Sequence, residues 1–446
     1  MVTMKKPTFD KIVLDVYKKS KEYINPNITA YLHINDDSIP IPFIFYYEIK
    51  SDYSKALTDE IFIELFIDSS TYRDKIIPNM NNLKMSITYQ VEYPKDLENI
   101  DSVYYIKTYN AIPTYVDKTL KESHRYFLDK NNLDATTITY LRFQLVDPIL
   151  YKLKPLITSG IYRNTTVKDV IYGIFYKELN NLNIGYKHFM VPPDNTRTYD
   201  HIIIKSRTKV IKLPHYLQTG DYGVYNGGIG TYIEQIHDNQ YYLYNYPVVD
   251  YSKFNIGNRD RLIIYNPIKT AYGVNHISYA YDINKKCNNI VYRDYKLIAT
   301  DVEILNKEDR KYIETYDTLY NVDPYVATDY MSEAVGNYSI EFDTSKLTKL
   351  YTANANKSNV NNFLYTNMDD NLYKYKSLLI YNETILAKVT LYGVESTIFK
   401  PGMPVKYVYQ KDDIAIELDG VLQSTHVIFN RIKKENAVIL YILLEK

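Results

Sequence analysis

Phe9, Ile12, Val13, Val16 and Tyr17 recur at helical spacing behind Pro7-Thr8, which predicts a short leading helix within residues 7–24. The pattern then turns to strands. Ile39-Pro40-Ile41-Pro42-Phe43-Ile44-Phe45 reads as one extended run, and Ile61-Phe62-Ile63-Glu64-Leu65-Phe66-Ile67, bounded by Glu60 and Asp68, reads as a buried strand. Leu83 to Val91 alternates cleanly, as a half-buried strand should, and Val103-Tyr104-Tyr105-Ile106-Lys107 follows. These runs predict an N-terminal β-domain over residues 28–125.

The pattern changes in residues 126–350, which read as a mixed α/β region. Residues 133–156 carry apolar positions at mixed spacing around Leu145-Val146-Asp147-Pro148-Ile149-Leu150. Val167, Val170, Ile171, Ile174 and Phe175 lie on one helical face behind Thr165, the expected cap, and Asn180, Asn181 and Gly185 end the pattern. Residues 205–254, rich in Tyr and Gly, read as extended segments and loops. Arg261 to Tyr265 and Tyr295 to Ala299 read as strands. The Asn-rich stretch 351–371 is a linker candidate. Beyond it, Ala387–Leu391, Val405–Tyr409, Thr425–Phe429 and Ala437–Leu444 predict a small all-β domain over residues 372–446, with Gly420-Val421 before its third run.

Composition narrows the class. At 446 residues, two or three domains are expected, and 46% hydrophobic with 24% charged residues excludes large-scale disorder. Fifty-three basic residues balance fifty-three acidic ones, so no global field attracts nucleic acid or an anionic membrane. There are 51 Tyr against 14 Phe and no Trp. A/T-rich codons account for such usage, and so does a need for broad interfaces, where Tyr supplies an apolar body and a polar tip. Cys287 stands alone, so no intrachain disulfide forms. Neither a signal peptide nor a run of eighteen apolar residues is visible, so no membrane span is expected.

Candidate chemistry is thin. Gly227-Gly228-Ile229-Gly230 resembles a phosphate loop, but the residues after it look like a strand where a helix is needed, so a hairpin turn is expected. The eight histidines (His33, His124, His188, His201, His215, His237, His276 and His426) form no HxxxH or HxH pair; His188 and His201 can meet across a hairpin, but a metal site is not expected. Asp36-Asp37, Asp369-Asp370 and Asp412-Asp413 sit in expected turns. Lys205-Ser206-Arg207-Thr208-Lys209 and Arg431-Ile432-Lys433-Lys434 read as solvated faces, the first also as a candidate for a DNA-facing lumen. No nucleophile elbow is present. The expectation is no enzyme, with no catalytic, cofactor-binding or metal-binding residue and no cofactor.

Three segments together resemble one family. An N-terminal β-domain is followed by Phe143-Gln144-Leu145-Val146-Asp147-Pro148 and the helix after Thr165. Near the end, Ala387–Leu391 leads into Ile398-Phe399-Lys400-Pro401-Gly402-Met403-Pro404-Val405, with His426-Val427-Ile428 before a last strand. This order resembles the baseplate hub proteins of tailed bacteriophages, relatives of the base of the type VI secretion spike. The resemblance implies a mainly β fold with some α, built from two tube-type, barrel-like β-domains and a mixed α/β middle. It implies a homotrimer that joins the tail tube protein to the central spike protein and lines the channel for DNA ejection, with the tape-measure protein and DNA as further contacts. The expected location is the virion, after assembly in the host cytoplasm. A neck, connector or fibre-adaptor protein, a tail-associated cell-wall hydrolase and a carbohydrate-binding β-protein are the alternatives.

Overall fold

The computed structural model describes residues 2–19, 27–41, 43–91, 103–114, 138–219, 222–237, 240–250, 260–267, 278–282, 286–291, 384–392, 394, 396–432 and 435–445. The fold is mainly β with some α. In chain order the first strands are β1 (Val2–Lys5), β2 (Asn27–Ile34), β3 (Asp37–Ile41), β4 (Ile44–Ser51), β5 (Glu60–Asp68), β6 (Leu83–Val91), β7 (Val103–Thr114) and β8 (Ile138–Val146). Next come β9 (Ile157–Thr166), β10 (Gly185–Met190), β11 (Thr198–Lys209), β12 (Ile229–His237) and β13 (Gln240–Pro247). The set ends with β14 (Arg261–Asn266), β15 (Ser278–Asp282), β16 (Cys287–Val291), β17 (Thr384–Tyr392), β18 (Pro404–Lys411), β19 (Ile414–Asn430) and β20 (Glu435–Glu445). The helices longer than one turn are α1 (Lys6–Lys19), α2 (Pro148–Leu153), α3 (Val167–Asn181) and α4 (Leu213–Thr219).

Fifteen strands form one sheet, ordered β15-β16-β14-β18-β19-β4-β5-β8-β7-β6-β2-β3, with β1, β20 and β17 joined through β19. Its organising element is β19, 17 residues long. Along one edge β19 pairs first with β18 and then with β4; along the other it pairs first with β1 and then with β20. β18 gives way to β4 between Val421 and Thr425, beside the irregularity in the β20 pairing at Leu422/Ser424, and β1 gives way to β20 between Glu417 and Gly420. Gly420-Val421 therefore does not separate two strands, as the sequence pattern suggested, but lies inside one. The strands of the two barrel-like units expected at the chain ends are joined in a single sheet. Its pairing order is open, and no ladder among the described residues closes either unit into a barrel.

The N-terminal half buries one sheet face. Leu32, Ile61, Ile63, Leu65, Met85, Phe143 and Leu145 point into a core capped by Tyr72 and Ile76 of the helical segment at residues 69–79. Burial alternates along β5 although its apolar run is nearly continuous, while β6 shows the one-sided burial in its sequence alternation as well. The apolar run at 39–45 proves to be two strands, β3 beside β2 and β4 beside β5 and β19. Pro40 and Pro42 have no amide hydrogen, so the run could not sustain one ladder.

The leading helix α1 packs far from its sequence neighbours, and residues 20–24 of the expected stretch lie outside the described residues. Phe9, Val13 and Val16 lie against Tyr265, Val291, Val408 and Ala415 of the C-terminal half. In the middle of the chain, α3 is capped by Thr166, not Thr165, because β9 runs directly into the helix and Thr165 is paired with Tyr199. The stretch 205–254 is more regular than expected: β11 extends to Lys209, then α4, β12 and β13 follow. The inner faces of β9 and β11 cover α3, with Tyr162, Ile202 and Ile204 against Ile171, Ile174 and Phe175. Residues 295–299 and 351–371 lie outside the described residues.

Candidate functional site

The joint between β4 and β19 holds the densest charge cluster of the large sheet. Opposite the apolar core face, β4 presents Tyr46, Glu48 and Lys50, and β19 presents His426, Ile428 and Asn430 in register with them. Glu48 is 6% exposed. Its carboxylate accepts from His426 Nε2 at 2.6 Å and from Lys50 Nζ at 2.9 Å. Arg142 on β8 lies 3.8 Å from Glu48 and 3.6 Å from Glu64, with its guanidinium 4.4 Å above the Phe62 ring. The His426 hydrogen bond, aided by Lys50, holds the Glu48 carboxyl down at about 2 against the opposing effect of burial. Burial and the Glu48 and Glu64 charges push the Tyr46 phenol up to about 12.

This arrangement can hold the two halves of the large sheet together; it is poorly suited to acid–base chemistry. Glu48 and Glu64 share one arginine, and a glycosidic general acid needs a carboxyl raised toward neutrality, opposite to the shift at Glu48. The nearest approach to a nucleophile–base pair is Ser86 Oγ, 2.7 Å from His33 Nε2. The other ring nitrogen of His33 meets Ser38 Oγ, and Ser86 continues to Thr108 Oγ1, each at 2.7 Å. The result is a cross-strand ladder over β3, β2, β6 and β7, without the carboxylate that orients a catalytic imidazole.

The Pro401-Gly402 turn is a second joint. Gly402 has φ +87°, and a Cβ there would stand 2.6 Å from the Tyr246 ring. Gly230 meets the same ring, and a Cβ there would stand 2.4 Å from it. Tyr246 is thus clasped between the middle region and the C-terminal turn. Beside it Lys400 Nζ donates to Glu234 at 2.7 Å. The N-terminal half reaches the same region through backbone bonds, Thr231 N to Tyr53 O and Ile233 N to Leu57 O, and through Lys107 to Asp147 at 2.9 Å.

The residues singled out by sequence disperse. Gly227 and Gly228 lead into β12 and accept from Val249 and Val248, so they form neither a phosphate loop nor a hairpin turn between paired strands. A Cβ at Gly227 would lie 2.0 Å from Val249 O, so close backbone approach explains this glycine. His188 and His201 lie in different sheets. His188 Nε2 bonds Asn245 Oδ1 at 2.6 Å, and burial lowers its pKa. Among the described residues no three His, Cys, Asp or Glu side chains group as metal ligands. Asp36-Asp37 and Asp412-Asp413 do fall at strand turns. His124, His276, Asp369-Asp370 and Lys433-Lys434 lie outside the described residues. The sequence reading missed Glu48, Arg142 and Tyr246; the one available signal was a lone carboxylate in the aromatic run Phe43–Ile49.

No family model and no curated protein matches the sequence. Solved structures do. Its structural neighbours are phage tail proteins and type VI secretion proteins. The chain is similar to a tail protein from Neisseria meningitidis MC58 (9% identity, TM-score 0.40, 94% of this chain and 96% of that one). It is also similar to the 43 kDa tail protein of prophage MuSo2 from Shewanella oneidensis (7%, 0.39, 93% and 96%). A third is an E. coli component of the type VI secretion system (9%, 0.39, 93% and 76%). No residue role is carried over at these levels of identity and superposition. No helix among the described residues is long and apolar enough to cross a membrane.

Proposed function

We propose that this chain is a structural, non-enzymatic tail component that trimerises to join a tail tube to a central spike and to line the channel through which DNA leaves. The observation that carries the reading is the β4–β19 ladder, which welds the two terminal β-units into one sheet. A hub of the resembled family needs two tube-type walls per chain, so that three chains meet a six-fold tube on one side and a three-fold spike on the other. Edge-to-edge fusion of two β-units is a means of presenting two such walls in fixed register. The Lys400-Pro401-Gly402 turn, part of the resemblance, serves here as a joint between units, a role suited to a scaffold.

The mass of the purified assembly tests the reading. Three copies are expected. A stable monomer with cell-wall lytic activity would sink it, and a dodecamer would favour a connector.

A further inference from the structure

The β9–β11 ribbon exposes an apolar strip on the side away from α3. Ile161 and Ile203 are directly opposite each other and are 61% and 51% exposed; Ile157, four residues along β9 on the same face and beyond the register irregularity, is 58% exposed. Nothing in the packing of the middle region needs them there, because the alternate residues Tyr162, Ile202 and Ile204 supply its core. Cations bracket the strip. Arg163 pairs with His201 at one end and Lys209 pairs with Ile157 at the other, with Lys205 and Arg207 at the irregularity between Ile204 and Thr208. The two strands carry one carboxylate, Asp200.

We propose that this face is a docking surface for a second copy of the chain, which offers its acidic stretch 301–343 to the ribbon. Those residues lie outside the described set, but their sequence holds eleven carboxylates against three cations, interspersed with Val302, Ile304, Leu305, Ile313 and Leu319. In a chain whose charges cancel only when this stretch is included, it is the complement of a basic strip with an isoleucine centre. Two ribbons cannot face each other, because their cations would meet. In a trimer the contact is heterologous, each ribbon taking the next copy's stretch until the ring closes. Exposed isoleucines at the centre also argue against a bare phosphate polymer, which would leave them unburied. The inference rests on the reading of the chain as an oligomer and names the surface involved.

The test compares the assembly mass of the full chain with those of Ile161→Asp/Ile203→Asp and Arg163→Glu/Lys209→Glu. Ile106→Asp, at a 69% exposed site on the large sheet, is the control. Circular dichroism checks that each variant folds. Both ribbon variants should dissociate at about tenfold or more higher concentration than the parent and the control. Ribbon variants that assemble as tightly as the parent overturn this inference and leave the oligomer standing. A parent that is monomeric at every concentration overturns both. Carbodiimide coupling in a mixture of isotopically heavy and light chains gives a second readout. Mixed-label links from Lys205 or Lys209 to carboxylates of 301–343 are expected; links within one chain only would mean that each chain covers its own ribbon, and would overturn copy-to-copy docking. Loss of DNA-duplex binding in ribbon variants whose assembly is unchanged would reassign the surface to nucleic acid.

Discussion

Glu48 is a charge in a strand of apolar and aromatic side chains, and its partners come from both halves of the chain: Lys50 beside it and His426 from 378 positions away. A carboxyl held at about 2 when folded, below its ordinary value, stabilises the fold fully above the ordinary carboxylate range. That contribution is lost as pH falls through the folded value. Between pH 5 and pH 2 the wild type should lose about 2 kcal/mol through this group, and Glu48→Gln should flatten that part of a denaturant-unfolding profile. Tyr246 makes a residue-scale demand of a different kind. Gly402→Ala adds a methyl against its ring and forces a positive φ on a side chain. A loss of about 2 kcal/mol, read by thermal unfolding, is expected.

Among the elements, β19 matters most, because four strands depend on it. Among the described residues, the ladder that ties β4, and hence the N-terminal strands, to the C-terminal strands runs along the second half of β19 and is continued by Arg431 N donating to Phe45 O. Ile428 lies in that half, opposite Glu48. Proline there removes an amide from a strand paired on both edges, at a cost of about 3 kcal/mol or more. Calorimetry of Ile428→Pro should show the single transition of the wild type split in two. One unaltered transition would mean that the middle region alone couples the halves.

Across the whole molecule the termini converge. Strand β1 pairs with β19, and α1 seals the face formed by Tyr265, Val408 and Ala415. Removing residues 2–19 would expose that face. Hydrogen exchange should then speed up in β14, β16 and β18 while β5, β6 and β8 keep their protection; uniform acceleration would count against a local role. The middle region meets both halves, through residues 53–57 on one side and Tyr246 with Lys400 on the other. It also carries the ribbon whose outer face is proposed to reach the next copy.

Periodicity alone was enough to place β5, β6, β18 and β20, because each buries one face in a two-residue rhythm or runs through a core. It placed α3 for the equivalent helical reason, missing its cap by one residue. The turns at Asp36-Asp37 and Asp412-Asp413 were also legible. What the sequence could not decide was which strands pair. The continuity of β19 through Gly420, the destination of α1 and the meeting of Glu48 with His426 all depend on contacts far apart along the chain. A strand's alternation says which face is buried and nothing about its neighbour, so the single open sheet, and the joints that hold it, were settled only by tertiary packing.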